Sequence, residues 1–234
     1  MTGPMNPGGR PYIEFRNVSV EYGKYVKALT DISFQIQEGE FVFIVGRTGS
    51  GKSTILKLLS REVTQTSGEV NFDGTDVGSL HERDIPALRR RLGIVPQDFG
   101  LLPRKKAWEN IGYAMRAVGK TRKEVRKAVG PILDNVNIGH RGDAFPTEMS
   151  GGEQQRLAIA RALINEPHLI LADEPTGNLD AQHSLEIIQL LDQLNKQGAT
   201  VLVATHDLMV IEQFNKRVIT MDQGRILSDE AARA

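Results

Sequence analysis

The stretch "GRTGSGKSTILKLLS" (Gly46–Ser60) sets three glycines, a lysine and several hydroxyl residues directly ahead of an amphipathic run. From Gly46 to Ser53 it fits G-x-x-x-x-G-K-[ST], the pattern of a loop that cradles phosphate. The glycines let backbone N–H groups turn toward an anion with no Cβ in the way. A helix starting at Ser53 would aim its unpaired N–H groups and the positive end of its dipole at the same point. Arg47, Thr48, Gly49, Ser50 and Gly51 would form the cradle, Lys52 would sit between the β- and γ-phosphates, Ser53 would bind Mg²⁺ and Thr54 would touch the α-phosphate. The alternative is a glycine-rich turn that merely caps a helix.

Working outward, "FVFIV" (Phe41–Val45) is continuously apolar, as expected of a strand buried on both faces. "HLILAD" (His168–Asp173) and "TVLVATHD" (Thr200–Asp207) read the same way. Helical patterns lie between them at Ser53–Arg61, Glu153–Asn165 and Ala181–Lys196, the last with Leu185, Ile188, Leu191 and Leu194 assigned to one face. Strands alternating with helices predict a parallel sheet covered on both sides. "YIEFRNVSVEY" and "ALTDISFQIQEGE" predict two further strands ahead of it. Ligands gather at the carboxyl ends of the strands of such a sheet, which would bring Asp173 beside Ser53. Asp173 then orients Mg²⁺, and Glu174 is placed to take a proton from an attacking water. Without the phosphate loop, that acid pair reads equally as a solvated strand end.

The 234 residues carry 29 Lys/Arg and 29 Asp/Glu, so net charge offers no argument for a nucleic-acid partner. There is no cysteine, which excludes disulfides, thiolate metal sites and cysteine nucleophiles. No apolar run approaches the roughly 20 residues of a membrane helix. The Gly/Pro-rich opening, residues 1–11, reads as a loose tail without the apolar region of a signal peptide.

The middle is different. From His81 to Gly130 there are 13 Lys/Arg against 5 Asp/Glu, and "RKKAWENIGYAMRAVGKTRKEVRKAV" has a helical pattern. Residues 99–149 read as a helical subdomain inserted into the α/β core, with Trp108 as one of its packing residues. The basic run reads as a solvated helix face or as a surface for an acidic partner or anionic membrane leaflet.

"MSGGEQQRLAIARAL" (Met149–Leu163) resembles the signature of ABC-type ATPases, and the resemblance covers nearly the whole chain. Its companions follow in order: Tyr22 in "EYG" for stacking on adenine, Gln97 in "VPQDF" for sensing Mg²⁺ and the attacking water, "GNLD" ending at Asp180 for crossing to a partner subunit, and His206 in "ATHD" near the γ-phosphate. Each also has a bland reading. Tyr22 is equally a strand aromatic, His206 a turn residue, and Ser150 with Glu153 an S-x-x-E capping box. The remaining histidines, including His140 and His183, read as structural or solvated. Met149 and Glu153 depart from the usual Leu and Gln, without functional consequence.

The resemblance implies an α/β P-loop NTPase (RecA-like) nucleotide-binding domain over residues 12–234, with an antiparallel β subdomain and the inserted helical subdomain. It implies an ATPase using ATP and Mg²⁺, and a head-to-tail homodimer. In that dimer the phosphate loop of one subunit faces Ser150, Gly151, Gly152 and Glu153 of the other. It further implies an integral membrane partner, FtsX-like if the chain follows the cell-division branch, which "QDFGLLP" and the ending after "MDQGRIL" resemble. The chain would then lie peripherally at the cytoplasmic face of the membrane and regulate septal peptidoglycan hydrolysis. Lipoprotein-release and macrolide-export ATPases are the rival branch. A soluble ABC protein acting on ribosomes or DNA, and a nucleotide-gated scaffold without turnover, are the alternatives of other classes. Phe99, Leu101 and Leu102 read equally as a groove for the membrane partner or as core.

Overall fold

The computed structural model describes residues 10–23 and 26–232. The chain opens with two long antiparallel strands, β1 (Ile13–Tyr22) and β2 (Val26–Ile36), and then enters β3 (Phe41–Val45), the phosphate-type loop and α1 (Lys52–Leu59). It continues through β4 (Ser67–Phe72), β5 (Thr75–Asp76), α2 (Ile85–Arg89) and β6 (Leu92–Val95). The helices α3 (Ala107–Ala117), α4 (Arg122–Asn135) and α5 (Gly151–Leu163) come next. The chain then runs β7 (Leu169–Asp173), α6 (Ala181–Lys196), β8 (Thr200–Thr205), α7 (Leu208–Ile211), β9 (Arg217–Asp222) and β10 (Arg225–Glu230).

Two sheets result. One is antiparallel, in the order β2-β1-β4-β5; the other runs β10-β9-β3-β8-β7-β6 and is parallel except for β10 on β9. The continuous apolar runs explain the second. In β3, Phe41, Phe43 and Val45 enter the core shared with the helices, whereas Val42 and Ile44 enter the core shared with α1 and the antiparallel sheet. β8 divides the same way, with Val201 and Val203 on one side and Leu202 and Ala204 on the other. A strand covered on both faces has no solvent side to keep polar, so the period-2 alternation vanishes. Removing one such side chain, Phe43→Ala for instance, would cost about 3–5 kcal/mol.

Three expectations change. The helical pattern from 104 to 129 is two helices, because Gly119 takes φ +86° and ends the first before Thr121 caps the second. The buried residues of α6 are Ser184, Ile187, Ile188, Leu190, Leu191 and Asp192, while Leu185 and Leu194 are only half-buried. A strict three-residue repeat drifts off a 3.6-residue helix, so 185 and 194 cannot share a face. The loose tail expected over residues 1–11 lies outside the described residues except for Arg10 and Pro11, and Arg10 donates a 3.0 Å hydrogen bond to the Gly74 carbonyl. Trp108, expected to pack within the helical segment, leaves 41 % of its surface exposed.

Candidate active site

The loop between β3 and α1 is built around backbone that only glycine can form. Gly51 has φ +106°, and a Cβ there would sit 2.6 Å from the Ala28 carbonyl oxygen and 2.7 Å from a Leu29 methyl. At Gly46 a Cβ would lie 2.3 Å from the Met221 carbonyl oxygen. The loop is thus pressed against β2 and β9. Helices α4, α5 and α6 each begin with a side-chain cap (Thr121, Ser150 and Asp180), but α1 begins at Gly51 with none. Its first N–H groups are left for an anion. Ser50 Oγ is buried there without a hydrogen-bond partner among the described residues, as an atom awaiting a polar ligand would be. Arg47, Thr48 and Gly49 are exposed at the tip, and Thr54 is buried behind it.

Lys52 begins α1 and is 5 % exposed, its ammonium donating to the carbonyls of Gly46 (2.8 Å) and Arg47 (3.2 Å) and lying 3.3 Å from Glu174 Oε1. Ser53 donates to Asp173 Oδ1 at 2.8 Å, joining the loop to the end of β7. Burial pushes the Asp173 pKa up; the Ser53 hydrogen bond pulls against this, and the neighbouring Glu174 charge adds to it. Glu174, the residue after β7, is buried and sits at φ +46°, an uncommon conformation for glutamate that is held by its N–H donating to the Ala204 carbonyl at 2.8 Å. Its other carboxylate oxygen lies 2.8 Å from His206 Nδ1 and accepts from the His206 N–H at 3.3 Å. A cation, a carboxylate pair, a hydroxyl and an imidazole from three parallel strands therefore meet at one sheet edge, as the open α/β architecture dictates.

Tyr22 ends β1, 42 % exposed; Gly51 packs on Ala28 and Leu29 of β2, and Leu29 pairs with Val20 just before Tyr22. Gln97 follows β6 with an exposed side chain, and its carbonyl accepts from Asn178 at 3.2 Å. Ser150 and Glu153 form the reciprocal capping box: Glu153 N–H to Ser150 Oγ at 3.2 Å, Ser150 N–H to the Glu153 carboxylate at 2.8 Å. Burial acts to raise the Glu153 pKa, but the hydrogen bonds from Ser150 and the charge of Arg141 (3.0 Å) outweigh it and hold it below the usual carboxylate value. The "GNLD" loop packs on this turn. A Cβ on Gly151 would touch Leu179, and one on Gly152 would sit 2.8 Å from the His183 ring. His183, read as structural or solvated, pairs with Asp180 at 2.7 Å, and His140 lies 3.7 Å from Glu153. Asp180 is held below its ordinary pKa, first by the His183 backbone N–H. Among the described residues, no hydrogen bond or ion pair joins Ser150–Glu153 to the loop Gly46–Thr54.

Sequence reasoning missed Arg161. From the signature helix α5 it donates to the carbonyls of Phe99 (2.9 Å) and Gly100, which lie in consecutive positive-φ conformations just after Gln97. Burial pulls its pKa down. An arginine on the inward side of an otherwise apolar stripe was the available signal. Of the residues with two readings, Leu101 packs on the core, Phe99 is half-buried and Leu102 is exposed.

Residues 29–177 match the family model described as ABC transporter. The cell division ATP-binding protein FtsE of Streptococcus pneumoniae is 45 % identical over 94 % of this chain and 95 % of its own. FtsE of Bacillus subtilis is 42 % identical over 94 % and 96 %. A solved dimeric structure of the ATP-binding cassette MJ0796, in a post-hydrolysis state bound to ADP and Pi, superposes with a TM-score of 0.85 at 35 % identity, covering 95 % of this chain and 99 % of that one. With the loop, the acid pair and the histidine gathered at one edge of the same fold, the chain belongs to the ABC transporter family, as an ATP-hydrolysing cassette of the FtsE type.

Proposed function

We propose that two copies of this chain clasp ATP head to tail, and that hydrolysis lets them part and so drives an FtsX-like membrane partner that regulates septal peptidoglycan hydrolysis. One observation carries the dimer. The phosphate loop, acid pair and histidine form one cluster, while the signature turn, packed under the "GNLD" loop, bonds to none of it. A turn of that kind has its use on another copy's nucleotide. The dimeric MJ0796 cassette and the names of the FtsE relatives support the same reading. No helix among the described residues is long and apolar enough to cross a membrane, and in this reading the mechanical load is a separate integral membrane protein, with this chain at its cytoplasmic face.

In this reading Lys52 leaves the Gly46 and Arg47 carbonyls for the β- and γ-phosphates, and Ser50 and the open α1 terminus take the remaining oxygens. Glu174 accepts the proton of the attacking water, a role worth about 10²–10⁴ in rate, and His206 holds the Glu174 carboxylate from the far side. Tyr22 stacks on adenine. The hydroxyl of Ser53 and the carboxylate of Asp173, with Gln97, are a hard oxygen set that suits Mg²⁺. The ion supplies charge neutralisation on the phosphates when bound. Across the interface, Ser150 and the N–H groups of Gly151 and Gly152 meet the γ-phosphate, while Glu153 fixes the turn and Asp180 lines the contact. Losing that negative charge weakens the contact between the copies.

The test is Glu174→Gln. Light scattering should show an ATP-bound dimer that persists in the variant and dissolves in the wild type as ATP is consumed. Equal lifetimes in the two would reject hydrolysis as the step that separates them.

A further inference from the structure

A concavity away from the nucleotide cluster lies on the helical segment, between α3 and α4. It holds about 300 Å³, the small end of the range for a ligand site. Its floor includes Val125 and its walls are Trp108, 41 % exposed, and Tyr113, 50 % exposed. Three guanidinium groups, Arg116, Arg122 and Arg126, line it, all exposed and none with a carboxylate partner among the described residues. The acids nearby are already engaged. Glu109 pairs with Lys105 at 3.6 Å and accepts from the Lys106 N–H, and Glu124 pairs with Lys120 at 3.3 Å and accepts from Thr121. Glu109 also lines the groove, but its charge is met by Lys105, so the three arginines leave the groove with an excess of positive charge beside two aromatics with polar edges.

Guanidinium forks match phosphate oxygens in geometry as well as charge. Trp and Tyr beside Arg is the composition of surfaces that sit at a membrane–water boundary. A phosphodiester with a small headgroup fits the volume. An acidic peptide would satisfy the arginines but gives no reason for aromatics standing proud at the rim. We propose that this groove docks the headgroup of an anionic phospholipid, so that the cassette holds the leaflet itself and not only its protein partner. The proposal is independent of the ATP-clasped dimer and uses none of its residues.

The chain contains a single tryptophan, and it stands in this groove, so intrinsic fluorescence reads occupancy directly. Full-length wild type should float with mixed phosphatidylglycerol–phosphatidylcholine vesicles and show a blue-shifted Trp108 emission. It should do neither with phosphatidylcholine alone. Each of Arg116→Gln, Arg122→Gln and Arg126→Gln should weaken partitioning about fivefold, and the triple variant about a hundredfold, from the typical worth of one basic residue at an anionic surface. ATPase activity in solution should be unchanged in all of them, which also reports that they fold. Raised salt should release the wild type. The proposal is overturned if phosphatidylglycerol vesicles leave Trp108 unshifted, or if the triple variant floats like the wild type. It is equally overturned if inorganic phosphate or a tryptophan-free polyglutamate peptide gives the full shift where vesicles give none.

Discussion

Lys52 should matter to folding before any nucleotide arrives. Its ammonium is 5 % exposed and lies 3.3 Å from Glu174, itself 8 % exposed. Replacing Lys52 by Met keeps the apolar stem but strands the carboxylate. Breaking a buried pair from one side costs about 3–5 kcal/mol. His206 still reaches the other Glu174 oxygen at 2.8 Å, which favours the lower end, about 3 kcal/mol. The reverse change is gentler. In Glu174→Gln, Lys52 keeps its bonds to the Gly46 and Arg47 carbonyls, so the loss should be about 1 kcal/mol. The double variant strands no charge and should lose about 2 kcal/mol, less than the singles summed, a coupling of about 2 kcal/mol. Against a total stability of about 5–15 kcal/mol these are large effects. Urea denaturation of nucleotide-free protein, followed by circular dichroism, measures all three. A loss under about 1 kcal/mol for Lys52→Met, or additive variants, would refute the claim that the pair is a buried, mutually dependent unit.

Other expectations follow from the same geometry. Gly51→Ala meets both a positive φ and β2 backbone and should cost about 2–5 kcal/mol. Gly49→Ala, at φ +81° with open space around it, should cost only about 1–2; equal midpoints in urea would remove the close-approach argument. Burial raises the Asp173 pKa, so the folded chain holds that proton more tightly than the unfolded chain does. The Asp173 contribution to stability should therefore be fully present below the ordinary carboxylate value and be lost as pH rises through the elevated one, and Asp173→Asn should remove that component of the profile in metal-free buffer. Identical pH profiles would contradict it. Arg161→Met frees the Phe99 and Gly100 carbonyls, so hydrogen exchange should accelerate around residues 97–102 while the strands stay protected; unchanged exchange there would show that the arginine does not hold the turn.

Much of this protein is written locally. Phe41–Val45 followed by Gly46–Ser53 gave strand, loop and helix, because an all-apolar run and a glycine-lysine-hydroxyl cluster each have few other uses. The Ser150–Glu153 cap was equally readable, since its bonds span three residues. Periodicity taken too literally misplaced the buried face of α6, and the helical composition from 104 to 129 hid a break set by one glycine. Other features exist only through contacts between distant segments. Ser53 meets Asp173 across 120 positions and Lys52 meets Glu174 because parallel strands end at one edge. The packing of His183 on Gly152, Arg161 under the turn after Gln97, and Trp108 standing in a basic groove were likewise settled by tertiary packing. Residue type states what chemistry a side chain is capable of; exposure, partner and pKa depend on which other segment the fold lays beside it.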